Sequence, residues 1–99
     1  METKQILLEG LRKQIDLVDA LIIRCLAKRL EIVKEVAEIK KRENLPIFQP
    51  EREMQMLEKR KGLAIANGVS SLLIENIFKN ILESSREEQN KLAGRCRYY

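Results

Sequence analysis

The sequence predicts an all-α fold of one long and two shorter helices per chain, completed by pairing with a second copy. Apolar residues recur in steps of three and four from Leu8 through Leu11, Ile15, Val18, Ile22 and Leu26 to Val33 and Val36, the spacing of one helix face. Nowhere does the chain show strand-like alternation, an internal repeat or a low-complexity segment. The first helix is also too long for the chain that carries it. Leu8 to Lys40 is about 33 residues, or ~50 Å at ~1.5 Å per residue. A compact monomer of 99 residues has a radius of gyration of only ~13 Å. Two shorter segments cannot cover such a seam, so the prediction is an obligate oligomer, most simply a two-fold dimer with the long helices packed together.

The long helix is expected to start near Thr3 or Lys4 and to end at about Asn44, because the residue before Pro46 is pushed out of helical geometry. A short loop, residues 45–49, follows. Pro50 suits the first turn of a second helix, where its missing N–H has no partner to lose, and Glu51 and Glu53 complement the positive end of the helix dipole. This helix carries Met54, Leu57, Ala64 and Ile65 on its apolar side and closes near Asn67-Gly68. Ser70 or Ser71 caps a third helix whose inner face reads Ile74, Phe78, Ile81, Leu82 and Leu92. Residues 1–93 are thus expected to form one domain, with no room for a fused catalytic or regulatory domain, and 94–99 a short basic tail.

Composition narrows the chemistry. Charged residues make up 34% and aromatics 4%, with no tryptophan and no histidine, which removes histidine-based catalysis and histidine metal sites. Cys25 and Cys96 are far apart and lack metal or CxxC spacing, so reduced thiols are expected. The N-terminus has no signal-peptide pattern, and no apolar run approaches ~18 residues. A cytoplasmic protein that does not span a membrane is the expectation. The net charge of +4 raises a nucleic-acid-binding dimer as a distant possibility. Most basic residues are interleaved with acids, as in EVAEIKKRE and EREMQMLEKRK, which reads as a solvated face rather than a nucleic-acid surface.

The informative positions are those where an apolar seam turns polar. Continuing the alternation of the long helix puts Arg29 and Lys40 within about 20° of each other and inside the stripe. In the third helix Ser85 and Gln89, four residues apart, fall at the centre of the Phe78–Leu82–Leu92 stripe. Each position alone has a bland explanation: a buried cation pairs with an acid of a neighbouring helix, and a buried Ser or Gln fixes register. Together they point elsewhere, because an unpaired buried cation is costly and inward-facing acids are few, Glu53 being one. The excess positive charge implies a small anionic ligand inside the bundle.

These residues carry a resemblance. LRKQIDLVDALIIRCLAKRLEIVKEVAEIK, PIFQPEREMQML and IFKNILESSREEQ, in that order, closely resemble the all-helical AroQ-type chorismate mutases over about residues 8–92. In that family three helices per chain form an intertwined dimer, and each of its two active sites takes groups from both protomers. The resemblance implies substrate-binding roles for Arg12, Arg29, Arg52, Ser85 and Gln49, and catalytic roles for Lys40, Gln89 and Glu53. Arg12 lies about 100° round the long helix from Arg29, which fits a first arginine that reaches into the partner's site. Gln49 departs from the family's bacterial pattern, which has an aspartate there. The change is mild if that aspartate acts through its backbone, and alters binding of the substrate hydroxyl if it acts through its carboxylate.

The implied reaction is the rearrangement of chorismate to prephenate, which needs no nucleophile, metal or cofactor. It needs a dianion held in a compact diaxial shape, and charge support where the breaking ether oxygen gains electron density. Arginine forks match the carboxylates, Lys40 and Gln89 donate to the ether oxygen, and Glu53 accepts from the ring hydroxyl. Isochorismate pyruvate lyase shares the fold and the two arginines and lysine. Its relatives lack the acid of Glu53 and the serine of Ser85, so the sequence leans to the mutase.

Overall fold

The computed structural model describes residues 2–94, and Cys96 with the rest of the basic tail beyond Gly94 lies outside them. Three helices follow in order: α1, Glu2–Arg42; α2, Pro50–Ala66; and α3, Ser71–Leu92. No strand occurs among the described residues. At 41 residues α1 is about 60 Å long. No helix of the described chain is long and apolar enough to cross a membrane.

The chain divides into two compact units, residues 1–32 and 33–99. The first, as far as it is described, is a single helical rod. Leu8, Leu11, Ile15, Val18, Ile22 and Leu26, the seam read from the sequence, are 41% to 58% exposed in the isolated chain. Leu17 and Ile23, off the seam, are also exposed. No described residue of this unit is buried; Ala20 and Arg29 come closest, at half-buried.

The second unit holds the core: Val33 and Ala37 from the end of α1, Ile47 from the loop, Met56 and Ala64 from α2, and Leu82 from α3. The helices α2 and α3, joined by residues 67–70, pack against each other. Leu57, Ile74, Phe78 and Ile81 are half-buried. The seam is edged by cations that cover apolar surface with their stems. Arg60 lies 5.4 Å from the centre of the Phe78 ring, and Lys61 pairs with Glu58 at 3.6 Å and, across to α3, with Glu75 at 3.7 Å. The apolar side of α2 is therefore rotated from the one expected. Met54 and Ile65 are 66% and 69% exposed, while Met56 is buried. A row through Glu53, Met56, Leu57, Arg60 and Ala64 also has helical spacing, and the long stems of Arg60 and Lys61 serve as apolar cover on it. Leu92, expected on the inner face of α3, is 41% exposed.

The helix ends follow local chemistry. Asn44 adopts φ 56°, and the N–H groups of Asn44 and Leu45 donate to the carbonyls of Lys41 (3.3 Å) and Lys40 (2.7 Å). This is a Schellman closure, completed by a left-handed residue. Regular helix ends at Arg42, two residues before the expected stop, because these bonds already belong to the closure. Gly68, at φ 71°, closes α2 in the same way, with Val69 N–H donating to Ala64 at 2.8 Å and Gly68 N–H to Ile65 at 3.1 Å. Pro50 opens α2, and the Ser70 hydroxyl caps α3 by accepting from Leu73 N–H at 3.2 Å.

Candidate active site

The second unit brings together one residue from each of its three helices. Lys40, at the end of α1, donates from Nζ to Gln89 Oε1 of α3 at 2.8 Å and to the Ile47 carbonyl at 2.9 Å. Gln89 is the buried polar residue of the described chain, at 6% exposure, and sits one turn from Ser85 on the stripe that buries Leu82. An ammonium has three N–H donors. Two are engaged by Ile47 and Gln89, which leaves the third for a ligand. Because the amide oxygen of Gln89 accepts from Lys40, its NH₂ group is left to donate in turn.

Glu53, in the first turn of α2, supplies the negative charge. It pairs with Arg86 of α3 through a hydrogen bond from Nη1 to Oε1, and the two side chains are 18% and 30% exposed. Glu53 also acts on Lys40. Burial pushes the Lys40 ammonium below the ordinary lysine range, and the Glu53 charge opposes that shift without cancelling it. Lys40 and Arg86 thus both act on Glu53, and Glu83 and Glu87 line a cleft with Arg86, Ile47 and Phe48.

The remaining sequence-expected residues lie in different surroundings. The Ser85 hydroxyl is half-buried and donates back to the Ile81 carbonyl at 2.8 Å, the usual resort of a serine inside a helix. Gln49, the N-cap residue of α2, makes no capping bond with its side chain and donates instead to the Pro46 carbonyl at 3.3 Å. Arg52 is exposed and lines, with Gln49, Phe48 and Pro50, a cleft of about 520 Å³. Arg12 and Arg29 belong to the first unit. There Arg29 is half-buried, and Arg12 is exposed beside Glu9 at 3.5 Å. No group of three or more histidine, cysteine or acidic side chains among the described residues could hold a metal ion.

Three participants escaped the sequence reading. Arg86 holds the acid that the reading had set against Arg29 and Lys40. Phe48 lies under Arg86, 5.0 Å from its guanidinium carbon, and the Ile47 carbonyl orients Lys40. Arg86 was legible in part, since it falls four residues after Leu82 and three before Gln89, on the flank of the same stripe. The carbonyl of Ile47 leaves no signal in a sequence.

Comparison with known proteins places the whole chain rather than its single residues. The sequence matches the chorismate mutase type II family over residues 11–90. It is 47% identical over 83 residues, 84% of this chain, to the T-protein of Enterobacter agglomerans. The chain spans only about a fifth of that relative, 22% of its length. Among relatives of its own size, it is 32% identical over 84 residues to the chorismate mutase of Methanocaldococcus jannaschii, covering 85% of each chain. It is 33% identical over 84 residues to the isochorismate pyruvate lyase of Pseudomonas aeruginosa, covering 85% of this chain and 82% of the lyase. With most of its length matched by the family and by relatives of its own size, the chain belongs to the chorismate mutase type II family.

Proposed function

We propose that this chain catalyses the rearrangement of chorismate to prephenate, a step toward phenylalanine and tyrosine, in a cationic pocket of a homodimer. The observation that carries the reading is the Lys40–Gln89 pair: a partly desolvated ammonium and a buried amide, tied together at 2.8 Å, each with a donor left over. The reaction is unimolecular, so it calls for positioned donors rather than for a nucleophile. Donors placed where the ether oxygen gains charge lower the barrier, and desolvation strengthens them. Glu53 accepts from the ring hydroxyl. Arg29 and Arg52, with Ser85 and Gln49, serve the carboxylates and the hydroxyl, and Arg12 comes from the partner chain.

The exposed seam of α1 supports the dimer. Burying each of its leucine, isoleucine and valine side chains fully is worth ~1.5–3 kcal/mol, and a second α1 presents the same pattern. The free, exposed Cys25 suits the reducing environment of a cytoplasmic enzyme.

The similarity to an isochorismate pyruvate lyase keeps a second reading in view. Glu53 and Ser85 favour the mutase, since the resemblance implies both for the mutases and neither for the lyases. One experiment separates them: the protein is given chorismate and isochorismate in turn, chorismate loss is followed by ultraviolet absorbance, and the products are resolved by chromatography. Prephenate from chorismate is the expected result. Pyruvate release from isochorismate with chorismate untouched would transfer the assignment to the lyase.

A further inference from the structure

We infer that Arg86 is a positioning residue, which holds the Glu53 carboxylate as an oriented acceptor for a ligand hydroxyl and keeps it away from Lys40. The inference rests on the chorismate reading above and deepens it, because Glu53 is the acid of that reading.

The geometry secures Arg86 from two sides. Its Nη1 donates to Glu53 Oε1, and its guanidinium carbon lies 5.0 Å from the centre of the Phe48 ring. Phe48 follows Ile47, whose carbonyl holds Lys40, so the loop that fixes the lysine also supplies the ring beneath the guanidinium that fixes the acid. A planar guanidinium can lay its face on a ring and turn its edge to a carboxylate at the same time, whereas an ammonium is a point charge without that fork. With Oε1 engaged, Oε2 keeps its lone pairs for a hydroxyl donor.

The arrangement also settles a competition. Lys40 and Arg86 both attract Glu53. Were the carboxylate to swing onto Lys40, the remaining N–H of the ammonium would be spent on it and withdrawn from the ligand. Arg86 prevents that swing. The charged group acting on Lys40 is thus Glu53 of α2, itself held by Arg86 of α3, while the other α3 partner, Gln89, is neutral.

The test is a double-mutant cycle on the intact protein, with chorismate as substrate over a range of pH. Arg86→Met is expected to lower kcat about tenfold with little change in KM, and the same substitution made on Glu53→Gln to change kcat by less than about twofold. Arg86→Met should also move the basic limb of the rate profile to higher pH, because a released carboxylate approaching Lys40 holds its proton more tightly. Arg86→Lys leaves no acid without a cation, so it is expected to fold even if Arg86→Met does not, and to lose about threefold in kcat because an ammonium, a point charge on a flexible stem, lacks the planar fork that fixes the carboxylate's orientation. Equal losses in both backgrounds with an unmoved basic limb, or wild-type kcat in Arg86→Lys, would overturn the role of Arg86 and leave the chorismate reading standing. A wild-type protein that leaves chorismate untouched overturns that reading first and this inference with it.

Discussion

Lys40 is the residue on which the proposed chemistry turns, and its environment makes a signed prediction. Its folded-state pKa is depressed, so between that value and the ordinary lysine value the unfolded chain binds more protons than the folded one. In this window stability rises with pH while the proportion of charged, donating Lys40 falls. The rate profile is therefore expected to lose activity in a basic limb that begins below the usual lysine range, with no matching loss of thermal stability. Lys40→Ala should lack that limb and show a kcat lower by about 10²–10³, the usual loss when a donor to developing charge is removed. Gln89 makes the complementary case. A carboxylate in its place cannot donate until protonated and would take up the Lys40 ammonium, so Gln89→Glu is expected to be weakly active at neutral pH and to recover in acid. Equal activity of that variant at pH 5 and pH 8 would argue against a donor role for residue 89.

At the scale of elements, α2 offers two glycines with opposite expectations. Gly68 closes the helix at φ 71°, and a Cβ there would meet nothing within 4 Å, so Gly68→Ala carries only the backbone penalty of ~1 kcal/mol. Gly62 lies inside α2, also with open space around its missing Cβ, so Gly62→Ala should stabilise by ~0.5–1 kcal/mol. Thermal unfolding of the two variants checks both signs. Much of this level was legible in advance. Pro50 and Gly68 act through backbone freedom that each residue carries with it, and Ser70 through its own hydroxyl, so helix starts and stops could be located from type and order. The face that α2 presents to α3 could not. Met54 and Met56 are equally apolar, and the choice between them depends on the stems of Arg60 and Lys61 covering the groove.

For the whole molecule, the first unit presents an apolar seam that its own chain, as described, leaves open to solvent. A dimer at micromolar concentration is the expected result of sedimentation, and a folded monomer there would refute the proposed assembly. Whether sites are shared between chains is tested by mixing Arg12→Ala with Arg29→Ala under conditions where subunits exchange. A mixed dimer joins an intact Arg12 from one chain and an intact Arg29 from the other in one pocket, and collects both defects in the other. With half the dimers mixed, recovery to about a quarter of wild-type activity is the expected ceiling. Activity that stays at the level of the parent variants, with exchange shown by a mass tag, would mean that Arg12 does not act across the interface.

What the sequence determined by itself was the all-helical class, the order of the three helices, their breaks, and the polar positions Lys40, Ser85 and Gln89 within apolar stripes. All of these follow from spacing along a helix of fixed period and from the conformational limits of proline, glycine and asparagine, which are local properties. Only the tertiary structure decided which partners those polar groups take. Residue 40 meets Gln89 and Ile47, and Glu53 meets Arg86, across separations of 49, 7 and 33 residues. Such contacts depend on where separate elements come to rest, and in a hydrogen bond to a backbone carbonyl the partner's side chain plays no part. The charged residues were visible as a list, but their division, with one cation holding the acid and the other left to donate, exists only once the loop carries Ile47 and Phe48 between them.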